Sequence, residues 1–284
     1  MKFASFPKFA LLLAPAVVFV VALAGCGSSK NLALTQGNWS VAATSTAIAA
    51  PSHQMQDGKS LSPNVSNASF YVGGNLTQTG TNVAGTMYFV GTCIAASSTA
   101  VNFTGTVKGT TVTLTSVGLP STVITVTATG AISATSSLTG TYTVTGGCDG
   151  GDSGTVTANA VPSISGTWNG TLLVGTNGTA APIISFALTQ ASTPSNDGTF
   201  ALTGNIAYTN SGCSVSGTIS SGTIAGNSVV ISANTVEKDQ SAGSFSFDNV
   251  LLDSPTAPAN MTGTYDVSAL GLCPGLQSLT LTKQ

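Results

Sequence analysis

Sulfur and carboxylate are the chain's main sources of reactive chemistry, and both are scarce. Five cysteines stand at Cys26, Cys93, Cys148, Cys213 and Cys273, none in the C-x-x-C spacing that grips zinc. The turn Gly151-Asp152-Ser153-Gly154 sets a hydroxyl beside a carboxylate, but a serine nucleophile needs an adjacent base. The single histidine, His53, shares a polar loop from Pro51 to Ser66 with Asp57, the setting of a solvated imidazole. Asp149 and Asp152 would offer a calcium ion two carboxylates where about six to eight oxygens are wanted. Glu237 is the only glutamate, so a facing pair of glycosidase carboxylates is hard to assemble. The expectation is a protein that is not an enzyme and holds neither cofactor nor metal.

What positions these groups begins at the N-terminus. Lys2 and Lys8 precede an apolar run from Phe9 to Ala24, broken only by Pro15 and followed by small residues. That is the three-part shape of an export signal. The run is short for a hydrocarbon core of ~30 Å, which takes about 20 residues to cross. Its end, Leu23-Ala24-Gly25-Cys26, resembles the lipobox of bacterial lipoproteins.

The resemblance implies a signal peptide over residues 1–25, cleavage before Cys26, and palmitate-type acyl chains on its sulfur and new amino group. Two or more chains give stable attachment where one binds reversibly. In that family an acidic residue after the cysteine retains the protein at the inner membrane. Gly27-Ser28 is not acidic, so the resemblance implies a lipid anchor in the outer membrane. Residues 26–33 form the tether, with a reach of at most ~28 Å at about 3.5 Å per residue. With Cys26 committed to lipid, Cys93, Cys148, Cys213 and Cys273 remain as an even set for an oxidising compartment.

Without its signal the chain carries five lysines against nine acids and no arginine, a net charge of minus four. Nucleic-acid binding needs clustered cations to displace counterions from phosphates, so that partner class is excluded. A polybasic membrane-surface role fails for the same reason. Charged residues make up 6% of the chain, against about 25% in ordinary soluble domains. Thr, Ser and Asn must therefore wet the surface, while the wealth of Val, Ile and Thr argues against disorder.

Self-comparison shows a duplication. Gly37-Asn38-Trp39 recurs as Gly166-Thr167-Trp168, Leu76-Thr77-Gln78 as Leu188-Thr189-Gln190, and Leu138-Thr139-Gly140-Thr141-Tyr142 as Met261-Thr262-Gly263-Thr264-Tyr265. The offset drifts between 112 and 129 residues, which fits two domains with altered loops and not a short solenoid. The domains are placed at 34–160 and 161–284. The Gly-Asp-Ser-Gly turn resembles the nucleophile motif of trypsin-like proteases, but the flanks of His53 do not resemble that family's histidine motif. In the second copy the Asp-Ser pair becomes Gln277-Ser278.

Within each copy apolar residues alternate with threonine, the period-two mark of half-buried strands. Phe103, Gly105 and Val107 take one face while Thr104 and Thr106 take the other. Eight strands are expected in the first copy, near 37–46, 68–78, 82–90, 101–108, 110–116, 122–133, 137–145 and 153–159. The fold class is all-β, as two tandem antiparallel eight-stranded barrels or flattened-barrel sandwiches. Closure would remove exposed edges. In an immunoglobulin-like sandwich the core tryptophan lies between the bridged cysteines, whereas Trp39 and Trp168 precede both cysteines of their copies.

Gly-x-Trp opening a β-meander is similar to the first strand of lipocalins and avidin-like barrels, which implies a barrel whose mouth takes small ligands. Each copy has one tryptophan, so biotin binding is not implied. In a meander, odd strands end at one rim, which allows disulfides Cys93–Cys148 and Cys213–Cys273. The functional expectation is a lipid-anchored envelope or surface protein that binds a protein or glycan, or serves structurally. The alternative is a lipocalin-like carrier of a small apolar ligand, favoured by a connected cavity of some hundreds of cubic ångströms.

Overall fold

The computed structural model describes residues 30–46, 70–90, 99–132, 134–147, 150–172, 183–209, 214–237, 239–268 and 277–284. The regular structure among them is all strand. The first copy contains β1 (Ala33–Leu34), β2 (Gly37–Ser45), β3 (Phe70–Thr79), β4 (Asn82–Val90), β5 (Thr99–Lys108), β6 (Thr111–Val117), β7 (Thr122–Thr129), β8 (Ala134–Thr135), β9 (Ser137–Gly146) and β10 (Ser153–Ala160). The second contains β11 (Gly166–Thr171), β12 (Ile183–Gln190), β13 (Phe200–Thr209), β14 (Ser214–Ala225), β15 (Ser228–Glu237), β16 (Ala242–Leu252), β17 (Asn260–Ser268) and β18 (Gln277–Lys283).

Barrel one runs β10-β2-β3-β4-β5-β6-β7-β9 and closes on itself; barrel two runs β11 to β18 in chain order and closes likewise. Closure comes from pairing the entering strand with the leaving one. Trp39 lies opposite Ala160 in barrel one, and Asn169 lies opposite Thr282 in barrel two. The architecture is thus two tandem barrels, and the flattened-sandwich form of the expectation gives way to full closure.

Alternation explains why these segments are strands. In β6, Val112, Leu114 and Ser116 turn inward while Thr111, Thr113 and Thr115 lie toward solvent. Apolar side chains fill the inside and hydroxyls line the outside, the reverse of a membrane-spanning barrel, whose lipid-facing wall is apolar. Each barrel has its own core, one built around Trp39, Phe89 and Tyr142 and the other around Trp168, Phe186 and Tyr265.

The strand expected over 122–133 stops at Thr129. One further bond in the β6–β7 register follows, from the Gly130 N–H to Thr110 O at 3.0 Å, before the chain departs from β6. The chain then forms β8, which pairs in parallel with β1 through Ala33–Ala134 and Leu34–Thr135. Leu32, in the stretch read as tether, is fully buried, and its N–H donates to Gly109 O at 2.8 Å.

The repeated motifs have repeated jobs. Trp39 Nε1 donates to Thr35 O at 2.7 Å and Trp168 Nε1 donates to Ile164 O at 2.8 Å, and both rings are fully buried. Gln78 Oε1 accepts the Leu34 N–H at 2.7 Å, as Gln190 Oε1 accepts the Ile164 N–H at 3.0 Å. The last residue of Leu-Thr-Gln therefore pins the segment that leads into Gly-x-Trp.

The barrels meet along β2, β3 and β4 of the first. Asn38 points away from core one, yet is 4% exposed because the Ala225–Gly226 turn of barrel two covers it. Its Oδ1 accepts the Gly226 N–H at 2.7 Å and its Nδ2 donates to Gly226 O at 2.8 Å. Beside it, Gly73 approaches so closely that a side-chain carbon would collide with the Ala225 carbonyl. Ala225 packs with Tyr88 of barrel one and Val230 of barrel two in a small apolar cluster.

Candidate functional site

The residues with the strongest chemical signal, Cys26, Cys93, Cys148, Cys213, Cys273, His53, Asp57 and Asp149, lie outside the described residues. Asp152 is described, and its role is structural. Oδ1 accepts from Ser45 Oγ at 2.6 Å and Oδ2 accepts from Tyr142 Oη at 2.8 Å, tying β2 and β9 to the start of β10. Ser153 sits in the ladder opposite Thr143.

Glu237 occupies the corresponding end of barrel two. It is 6% exposed and accepts from Thr235 Oγ1 at 2.9 Å. Tyr208 is nearby, with a buried hydroxyl that finds no hydrogen-bond partner. Burial first, then the charges of Glu237 and Tyr265, push its phenol well above the usual tyrosine range. No group of three or more metal-ligating side chains occurs among the described residues.

The two interiors differ. Along barrel one runs a cavity of about 40 Å³ with a wholly apolar wall that includes Leu114, Ile124, Val126, Leu138, Val156 and Ala158. Barrel two is filled by Phe186, Phe245 and Phe247, whose ring centroids stand 5.7, 6.3 and 6.4 Å apart, with Phe245 stacked on Tyr265 at 6.1 Å. Pockets for drug-sized ligands run to about 300–1,000 Å³, well above the space barrel one offers.

The outer wall of barrel two carries a second feature. A polar recess of about 170 Å³ lies across β14, β15, β16 and β17, lined by Ser220, Ser232, Asn234, Ser244, Ser246 and Asp266. Registers place Ser232 opposite Ser246, Asn234 opposite Ser244, and Ser246 opposite Asp266. Three register shifts surround it, at Ile219/Ser221, Val229/Ile231 and Asp248/Leu251. Bulges bend a strand locally and increase its twist, so this wall departs from a regular curve.

Compared with protein-family models, curated proteins and solved structures, the chain matches none. The recess residues therefore stand on their chemistry alone. The sequence reading missed them, although a signal was there. Ser232-x-Asn234 and Ser244-x-Ser246 put serine and asparagine at outward positions where β6 and β9 carry threonine. Serine lacks the methyl of threonine, and a row of serines leaves a hollow between neighbours.

Proposed function

We propose that the protein is a lipid-anchored component of the outer-membrane envelope that binds neutral glycan through the outer wall of barrel two and performs no chemistry on it. The recess of Ser220, Ser232, Asn234, Ser244, Ser246 and Asp266 carries this reading. Hydroxyls and an amide donate and accept, a carboxylate accepts, and no lining side chain is a cation. Such a set matches the mixed donors and acceptors of a sugar face and disfavours anionic polymers.

A protein partner would be better served by an apolar centre with aromatic anchors. Among the described residues, the exposed large apolar side chains are aliphatic and come from both barrels, Val117, Val123, Ile183 and Val236 among them. The anchor rests on the lipobox resemblance at Cys26 and is proposed on that ground.

Immobilised neutral oligosaccharides, presented as an array to the full acylated chain, provide the test. Retention that falls at least tenfold in Asp266→Ala or Ser246→Tyr supports the reading. No retention, or retention equal in these variants, overturns the glycan part. Intact-mass measurement of the purified protein decides the anchor, since an unacylated Cys26 removes it.

A further inference from the structure

The barrels are copies, and their interiors can be compared position by position through the strand registers. Trp39 faces Gly74 where Trp168 faces Phe186. Tyr142 faces Val126 where Tyr265 faces Phe247. Gly140 faces Val156 where Gly263 faces Leu279, and Leu138 faces Ala158 where Met261 faces Leu281. In every pair barrel two has the larger side chain. The cavity of barrel one lies among the smaller ones, since Val126, Val156 and Ala158 all line it.

We infer that this cavity is a binding site for a small apolar guest, a hydrocarbon group of about three heavy atoms. Its volume of about 40 Å³ accommodates roughly three water-sized spheres at about 10–15 Å³ each. Water is a poor occupant, because a buried water needs two to four polar partners and this wall supplies none. An apolar guest breaks no hydrogen bond on entry and restores the dispersion contacts that the lining side chains lack. The site is separate from the glycan recess and stands or falls without it.

Two sources share this chemistry, a free small molecule and the terminal methylenes of an acyl chain. The full mature chain, labelled with ¹³C at its methyl groups, is titrated with xenon, then propane, then octanoate. Saturable shifts are expected at Ile124, Val126 and Leu138, and none at Ile231 or Leu279 of barrel two. Shifts with xenon and propane alone identify a free guest, and the same shifts with octanoate identify a chain end.

Ala158→Leu, which copies Leu281, should abolish the response at least tenfold in apparent affinity while the strand signals persist. Val126→Phe, which copies Phe247, serves if that variant does not fold. Three outcomes overturn the site: no saturable shift with any probe, equal shifts in both barrels, or an undiminished response in a folded, filled variant.

Discussion

Val126 and Phe247 hold the same place in their barrels, each directly across the ladder from a buried tyrosine, Tyr142 in one and Tyr265 in the other. The chain therefore contains its own template for a filled core. Val126→Phe should raise stability by about 1 kcal/mol, from about 24 cal/mol per Å³ of cavity removed. The reverse change, Phe247→Val, should cost about 2–3 kcal/mol by opening a void in barrel two. Urea midpoints of the two variants check both signs. A destabilised Val126→Phe would mean that the cavity wall cannot accommodate a ring.

Asn38 ties the first barrel to the second through two hydrogen bonds to Gly226. Removing its amide in Asn38→Ala leaves the N–H and C=O of Gly226 without their partners at a buried junction. The expected loss is about 2 kcal/mol, at about 1 kcal/mol per hydrogen bond. Gly73→Ala should also separate the barrels, by forcing Ala225 away. Calorimetry reads the outcome: the two barrels melt closer together in the parent chain than in either variant.

Tyr208 predicts an alkaline limb. Its phenol is held above the usual range by burial and then by Glu237, so the folded chain grips this proton more tightly than the unfolded one. The stability involved is intact below the ordinary tyrosine value of about 10 and declines above it as the unfolded chain ionises first. Tyr208→Phe should flatten that decline and raise stability at neutral pH by about 1 kcal/mol, because an orphan hydroxyl leaves the interior. Phe89 already occupies the matching position of barrel one, opposite Val72 as Tyr208 is opposite Ile184. Urea midpoints at neutral pH and about one unit above the ordinary tyrosine value test it.

Asp253 contributes on the acid side. Desolvation opposes its charge, but the Asn260 amide at 2.9 Å and the Ala259 N–H at 3.0 Å outweigh it and hold the carboxyl below its usual range. A lowered folded value means stability present above the unfolded value of about 3.9 and lost as pH falls through the folded one. The group is exposed, so the effect is small. Asp253→Asn should make the acid limb shallower, as read by thermal midpoints between neutral pH and about pH 3.

The alternation of threonine with Val, Leu and Ile made the strands legible, because one face of each is buried and period two is the direct result. Gly109, the one residue between the expected strands 101–108 and 110–116, takes a positive φ of 60° at their hairpin. The duplication was legible because Gly-x-Trp and Leu-Thr-Gln each perform one fixed task twice. Other features left no comparable trace. β1 and β8 are two residues each and pair across 100 positions, so no periodicity could announce them. Asn38 falls in the expected strand 37–46 as one polar residue among many, and only the Ala225–Gly226 turn of the other barrel gives it its task. The cavity is a difference in volume between side chains that are all apolar, and a binary pattern does not register size. The recess depends on bulges, which shift register without changing composition.

Each barrel closes by laying its arriving strand against its departing one, with Trp39 beside Ala160 in the first. Such a unit begins and finishes at the same rim. Residues 161–165 are all the chain needs to step from one unit into the next. A further copy could be spliced after β18 without redrawing either existing one, so the length of the array is a quantity that gene duplication can adjust while every unit keeps its own interior.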